Sequence, residues 1–556
     1  MATISGVASR DAIGHWISPV AVGILALAVY SINLDHIPQF DELYHVLGAQ
    51  GILEYGEPRI ADGIYLRTPL FTALIALWFD WFGQSVEVAR SISVIAGALM
   101  MACIFIWTRA VAGTGVAWVA TIAFLLSPFS IRTFQFARFY AIHALLFWLG
   151  AVATYAVMVD RSSLSRALLL AVAAVACFAG AFYLQITTAI GLVGIALWLG
   201  FSMVLPAFRL VTPGRRGALV LGAAVVGCGL GFLVLMFFGE RLIGAYRSTP
   251  LFGESTRNQF WFYHLWFTLY YPTLWSILPA AVLIALVSRP RPALFSLCIF
   301  VPALLLHSFA GPKDLDYIFY AFPFLFIIWA IAFVSVLAPL RNFFVAIAER
   351  ALGAVGVAPK PYAVTAVLAA SIGFILLANS ATVRTPAMLA GVTVPPEVRH
   401  PDWAAAAEPL GPWLANSSVV LTTSDLETLY FLGDYDVLIN KSRYSELPEK
   451  VDFGRDPRTG RPIVSTPESV ALIMDCLADG LIVTSRHRWR VSHQLDDTIA
   501  DLIIKRTVPI ELPRASQIMA VRWERMPGAV VPSACADLPV LQRDGRPGKT
   551  ADAKGQ

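Results

Sequence analysis

Long apolar runs separated by short charged clusters fill the chain up to about residue 380, and an ordinary mixture of polar and apolar residues follows. A helix needs about 20 predominantly apolar residues to cross a hydrocarbon core ~30 Å thick. Runs near that length fall at 16–34, 88–110, 114–131, 138–159, 166–184, 188–207, 217–238, 264–287, 293–310, 317–340 and 362–380. The stretch 69–82 is apolar but only 14 residues long, starts at Pro69 and ends among Trp78, Asp80 and Trp81. Its length predicts a helix lying at the interface rather than across it.

Loop charge sets the orientation. With 69–82 on the surface and the N-terminus cytoplasmic, the inner loops carry Arg10, Arg109, Arg161, Arg166, Arg209, Arg215, Arg216, Arg289, Arg291, Arg341, Arg350 and Lys360. The first outer loop, 35–87, then holds eight acids against Arg59 and Arg67. Positive residues inside and acids outside is the usual bias of multi-span proteins. The expectation is a polytopic α-helical membrane protein of about eleven spans plus interfacial helices in the first outer loop. That odd count places the C-terminus outside.

Beyond residue 380, β-rich stretches at 418–423, 480–484 and 518–523 alternate with helical segments. One of these opens Thr466-Pro467-Glu468, a helix start with Thr as N-cap and Pro in the first turn. The expected organisation is a membrane part over 1–380, a soluble periplasmic α/β domain over 381–540, and a tail over 541–556 too polar to fold.

Composition sharpens this reading. Hydrophobic residues make up 57% of the 556 and charged residues 14%, with a mean hydropathy of +0.68; a soluble globule carries about 25% charged residues. The net charge of +4 is small and sits in loops, which excludes a nucleic-acid partner and leaves membrane lipids. Cys103, Cys177, Cys228 and Cys298 lie in apolar runs and read as small buried hydrophobes, whereas Cys476 and Cys535 belong to the soluble part. Outside the cytoplasm the latter two could pair, and the sequence leaves that open.

Candidate chemistry gathers at the outer ends of spans, where ionisable residues signal function. The first cluster is Phe40-Asp41-Glu42-Leu43-Tyr44-His45; its two acids also suit a helix N-terminus. The second runs from Arg132 to His143 through Arg138 and Tyr140, and its arginines also suit contact with lipid headgroups. The third is His307 to Tyr317, with Lys313, Asp314 and Asp316. A fourth is the outer loop 239–263 with Arg257. A carboxylate can deprotonate an attacking hydroxyl or amine, and Arg or Lys can hold a phosphate leaving group. The pattern points to group transfer from a lipid phosphate, with a lipid or glycolipid transporter or flippase as the alternative. A third reading makes the C-terminal domain a binding module on a passive anchor, for which eleven spans are too many.

The ordered set Asp41-Glu42-x-Tyr44, Ile64-Tyr65-Leu66-Arg67-Thr68-Pro69-Leu70, Phe82 to Ser91 through Arg90, Ser127-Pro128 and Ala137-Arg138-Phe139-Tyr140 resembles the GT-C glycosyltransferase superfamily. The nearest kin are similar to bacterial dolichyl-phosphate-mannose–protein mannosyltransferases and aminoarabinose transferases. The resemblance implies an inverting hexosyl- or pentosyltransferase at the outer face of the inner membrane. It would take its sugar from a polyprenyl-phosphate lipid and pass it to a glycan, lipid or protein acceptor. It also implies that Asp41, with Glu42 beside it, carries catalysis. The candidate donor- and substrate-binding residues are Arg138, Tyr140, His143, Lys313, Tyr44, Arg67 and Arg257. A divalent metal is left open, with no ligand set assigned. The chain departs from the aminoarabinose transferases at His143, where they carry an acid, at Arg67-Thr68-Pro69, and at Asp316.

Overall fold

The computed structural model describes residues 5–159, 163–210, 260–309, 313–353, 370–373, 378–395, 400–489, 494–525 and 531–538. The expected spans 217–238 and most of 362–380, the tail 541–556 and Arg257 lie outside the described residues. The chain forms two compact units. One comprises residues 1–34 and 90–394, the other residues 35–89 and 395 onward.

The first unit is helical. It contains α1 (Ser5–Tyr30), most of α4 (Val86–Ala112), α5 (Thr114–Leu125), α6 (Pro128–Phe134), α7 (Tyr140–Val159), α8 (Leu164–Leu184) and α9 (Thr188–Leu210). Further helices at Phe262–Tyr270, Pro272–Ser276, Leu278–Ser288, Pro290–Phe309, Leu315–Ile318 and Phe322–Gly353 follow. Among the described residues, five helices are long and apolar enough to cross a membrane, or six if α5 and α6 form one bent span.

Two expected spans are broken instead of continuous. The run 114–131 bends by 64° between α5 and α6. There the Ser127 hydroxyl accepts from the Phe129 N–H at 3.3 Å and Pro128 opens the new helix. The run 264–287 splits into three short helices, because Pro272 and Pro279 stand in the first turns of the second and third and neither can donate to the preceding turn.

Aromatic packing locks the unit. Trp107 of α4 meets Trp148 and Tyr155 of α7 at 5.5 and 5.3 Å, and Tyr155 stacks on Trp198 of α9 at 5.3 Å. Gly194 of α9 lies so close to the helix Pro290–Phe309 that a Cβ there would sit 2.5 Å from the Cys298 carbonyl oxygen. Small residues permit such helix approach in membranes. The carbonyls at and just after the end of α1 are satisfied from elsewhere in the unit: Gln135 donates to those of Tyr30 and Ile32, and the fully buried Arg90 donates to that of Leu34.

The second unit joins the loop segment 35–89 to the C-terminal region. Its loop part holds α2 (Phe40–Tyr55), the hairpin β1 (Arg59–Ile60) and β2 (Gly63–Ile64), and α3 (Pro69–Phe82). α3 is the expected short apolar helix, stopped by Gly83. The C-terminal part is built on a seven-stranded sheet of β3 (Val420–Thr422), β4 (Val437–Ile439), β5 (Gly454–Arg455), β6 (Pro462–Val464), β7 (Asp479–Ser485), β8 (Val508–Ile510) and β9 (Ile518–Glu524). The spatial order is β5-β6-β4-β3-β7-β9-β8, with β6, β4, β3 and β7 parallel and the flanking strands antiparallel.

Helices Trp403–Asn416, Asp425–Leu432, Pro467–Cys476 and Asp497–Arg506 bury apolar faces against the strands. Thr466 caps the helix Pro467–Cys476 by accepting from the Ser469 N–H at 3.3 Å, as its sequence predicts. At the end of that helix Cys476 forms a disulfide with Cys535, with Cα atoms 5.3 Å apart.

The hairpin fastens the loop to the sheet. The Asp62 N–H donates to the Thr459 carbonyl at 2.9 Å, and Arg461 pairs with the Asp62 carboxylate at 3.1 Å. Beside it Leu426 packs with Leu43, Tyr44, Ile60 and Tyr65 in one buried cluster.

Candidate active site

In the helical unit, basic and acidic side chains meet where α6 ends. Arg132, in the last turn of α6, pairs with Asp314 at 3.2 Å and with Asp316 at 3.5 Å. The Thr133 hydroxyl donates to Asp316 at 2.9 Å. Asp314 caps the helix Leu315–Ile318 by accepting from the Asp316 N–H, and its carbonyl accepts from the Tyr263 hydroxyl at 3.1 Å.

Arg138 follows α6 in a tight turn whose carbonyls at Phe136 and Arg138 accept from the Ser93 hydroxyl. Its guanidinium lies over the rings of Phe139 and Tyr140 at 5.2 and 5.7 Å, within electrostatic reach of Asp316. Arg138 and Lys313 are each 1% exposed. Burial pulls the Lys313 ammonium below the ordinary lysine pKa. Two guanidiniums and an ammonium therefore collect around one turn holding two carboxylates, a setting suited to an anion that displaces some of these internal pairs.

His143 sits deeper than its place in the motif suggests. It is fully buried in α7, with Nε2 2.9 Å from the Thr188 hydroxyl and its ring against Tyr320. His307 reaches the Tyr320 hydroxyl at 3.3 Å. These contacts describe a packed polar layer behind Tyr140 and Arg138 that fixes the start of α7.

In the other unit, α2 presents the two acids differently. Glu42 is fully buried and its carboxylate accepts from the Gln39 N–H at 2.8 Å, so it closes the helix N-terminus. Asp41 is exposed in the first turn. The same helix start thus exposes one carboxylate and commits the other to the backbone.

Tyr44 stacks on Tyr65 at 4.8 Å with the rings 9° from parallel. Its phenol oxygen accepts from Arg443 and, at 3.0 Å, from Arg458. Burial, reinforced by the charge of Asp425, pushes the Tyr44 phenol well above its ordinary pKa, so the hydroxyl keeps its proton. Arg488 lies over the Phe40 ring at 4.8 Å and pairs with Glu427 at 3.1 Å. Desolvation also raises the Asp456 carboxyl to about 6 and the Glu427 carboxyl above its usual range. Arg67 is exposed on the turn before α3.

The candidates thus fall into two sets, Arg138, Tyr140, His143 and Lys313 in one unit and Asp41, Glu42, Tyr44 and Arg67 in the other. The sequence did not single out Arg443, Arg458, Arg488, Asp425 or Asp456. Their partners in α2 lie some 400 positions away, and no local spacing marks them. Arg132 and Asp316 were visible as charged residues near span ends, but their pairing was not. Among the described residues no group of three or more His, Cys, Asp or Glu could hold a metal ion.

The architecture is that of the GT-C fold. Among solved structures, ArnT from Cupriavidus metallidurans in the apo state superposes with a TM-score of 0.55 at 16% identity, covering 92% of this chain and 98% of that one. The same protein bound to undecaprenyl phosphate gives 0.55 and 16%, covering 92% and 99%. The archaeal oligosaccharyltransferase AglB from Archaeoglobus fulgidus, in complex with an inhibitory peptide and a dolichol-phosphate, gives 0.50 and 14%, covering 85% and 70%. No family model matches the chain, and no curated protein matches it by sequence.

Proposed function

We propose that this protein is an inverting glycosyltransferase that moves a sugar from a polyprenyl-phosphate donor to an acceptor at the outer face of the inner membrane. The observation that carries this reading is the likeness over nearly the whole of both chains to ArnT, including the structure with undecaprenyl phosphate bound. The buried cations of the helical unit suit that donor. Arg138 and Lys313 hold the phosphate as it leaves the anomeric carbon, and Tyr140 packs beneath the Arg138 guanidinium. Arg132 pairs with Asp314 and Asp316 in the same turn.

On the acceptor side, Asp41 takes the proton from the attacking hydroxyl or amine as the new glycosidic bond forms. The phosphate departs with the electron pair of the broken bond. Attack opposite the leaving group inverts the anomeric configuration. Glu42 holds the start of α2 and so fixes the Asp41 backbone, and Tyr44 and Arg67 serve the acceptor side of the same loop. Among the described residues no observation favours a transporter.

An extracytoplasmic setting is supported by the Cys476–Cys535 disulfide, since such bonds persist in oxidising compartments. The experiment that tests the function is mass spectrometry of envelope glycans and glycolipids from cells with and without the gene. It is joined to native mass spectrometry of the purified protein with undecaprenyl phosphate. Loss of one sugar modification together with lipid-phosphate binding is expected. Unchanged glycans with no lipid-phosphate binding would overturn the reading.

A further inference from the structure

By its strand order, the parallel part of the C-terminal sheet implies a switch-point crevice outside its carboxyl ends, one that the reaction scheme above does not use. In chain order the strands run β3, β4, β6, β7, but in space they lie β6-β4-β3-β7. The chain therefore leaves β3 toward one side and returns on the other at β7. In open sheets of this kind ligands bind outside the carboxyl ends of the strands where that reversal occurs. Here those ends are tied together: the Thr423 and Thr484 hydroxyls are 2.5 Å apart, and Arg488 donates to the Thr423 carbonyl at 2.8 Å.

The turn leaving β3 carries polar atoms with no partner. Asp425 is 1% exposed and Ser424 fully buried, yet both carboxylate oxygens of Asp425 and the Ser424 hydroxyl lack a hydrogen-bond partner. Buried polar groups are almost always satisfied, and an exception calls for an absent ligand or water. Asp425 acts electrostatically on Tyr44 and Arg443, and Asp41 acts on Glu427, so the first turns of α2 border the same crevice.

The unpaired atoms state what they require. A carboxylate only accepts, so its partner must offer N–H or O–H groups, which a bare phosphate or carboxylate lacks. Arg443, Arg458 and Arg488 line the crevice as well, which disfavours a bare ammonium. A neutral ring bearing adjacent hydroxyls satisfies two carboxylate oxygens at once and can lie against the half-buried Phe40.

We propose that this crevice is the acceptor subsite and that it binds a saccharide, with Asp425 and Ser424 holding adjacent hydroxyls while a further hydroxyl reaches Asp41. The assignment of the saccharide as acceptor rests on the glycosyltransferase reading; the binding site itself does not.

The test uses the full chain in detergent. Saturation-transfer NMR is recorded with methyl α-mannoside, methyl β-glucoside, ethanolamine and inorganic phosphate as separate probes. A methyl glycoside is expected to give signal, falling by about tenfold or more in Asp425→Asn because a charged hydrogen-bond acceptor is lost. Ser424→Ala should weaken it less. Thermal melting guards against a purely structural explanation. Removing a buried unpartnered charge should leave the Asp425→Asn midpoint equal or higher, whereas a structural role predicts a lower one. Absence of glycoside signal, signal from ethanolamine or phosphate alone, an unchanged Asp425→Asn, or a lowered melting midpoint each overturns the proposal. Undecaprenyl-phosphate binding is measured on the same samples. Glycoside binding without lipid-phosphate binding supports the site and removes the transferase reading; lipid-phosphate binding without glycoside binding removes the site alone.

Discussion

The phenol oxygen of Tyr44 accepts a hydrogen bond from the Arg458 guanidinium at 3.0 Å across a sequence separation of 414 residues. With Arg443 on the same oxygen, this contact binds the loop segment 35–89 to the C-terminal region within one compact unit. Tyr44→Phe leaves both guanidiniums without that acceptor in a largely buried place. The expected loss is about 1–3 kcal/mol of stability, read as a lower melting midpoint in detergent, with a fall in transfer rate. An unchanged midpoint would show that water replaces the phenol.

Asp41 and Glu42 are adjacent but separable. Asp41→Asn removes a base while keeping size, so transfer should drop by about 10²–10⁴-fold with undecaprenyl-phosphate binding intact. Glu42→Gln keeps an acceptor for the Gln39 N–H, and most of its activity should survive. Measured turnover of the two purified variants decides the assignment: a robustly active Asn variant retires Asp41.

Arg138→Lys should weaken use of the lipid donor. The guanidinium can grip a phosphate with two parallel N–H groups and lies over Phe139 and Tyr140, neither of which a lysine reproduces. The check is the Michaelis constant for the lipid-linked sugar, which should rise while the melting midpoint stays put. Equal constants for both variants would leave Arg138 a headgroup anchor.

The pH dependence of stability should carry the mark of Asp456. Its carboxyl is raised to about 6 in the folded chain, chiefly by burial and then by Asp425. A carboxyl with a raised folded pKa binds its proton more tightly when folded, so its contribution is full below about 4 and is lost as pH climbs through about 6. Melting midpoints of the parent should therefore decline across that window, and Asp456→Asn should flatten the decline. An identical slope in the variant would assign it to other groups, Glu427 among them.

Opening the Cys476–Cys535 bond, which closes a loop of 59 residues in sequence, should cost about 4 kcal/mol by the chain-entropy estimate. Paired Cys476→Ser and Cys535→Ser substitutions, followed by limited proteolysis, should release the region after β3 faster than in the parent. Equal cleavage rates would show that the helix Pro467–Cys476 holds without its staple.

Much of this molecule was legible locally. The 14 residues of α3 read as too short to span, and Thr466-Pro467 read as a helix start, because both features are written in a handful of neighbours. The breaks at Ser127-Pro128 and Pro272 carried their own proline signals but were masked by uninterrupted apolar character, which run length alone cannot see through. Asp41 and Arg138 stood out as charges at span ends. The buried role of Glu42 did not, since Asp-Glu at a helix start looks the same whether a carboxylate faces water or its own backbone. The ring of Arg443, Arg458, Asp425 and Asp456 around Tyr44 was invisible for a different reason. It depends on which strand the chain returns to, and that is a property of topology, not of spacing.

The hairpin tip at Asp62 hydrogen-bonds Thr459, and Leu43, Tyr44 and Tyr65 bury themselves against Leu426. The consequence concerns biosynthesis. At about 5–20 residues per second, the Tyr44 segment precedes its Arg458 partner from the ribosome by roughly 20–80 s. Throughout that interval the apolar face of the loop bearing Asp41 has no partner from the C-terminal region to cover it. A chain interrupted before β3 can form its helices yet never finish that loop, so the last quarter of translation acts as a licence for what precedes it.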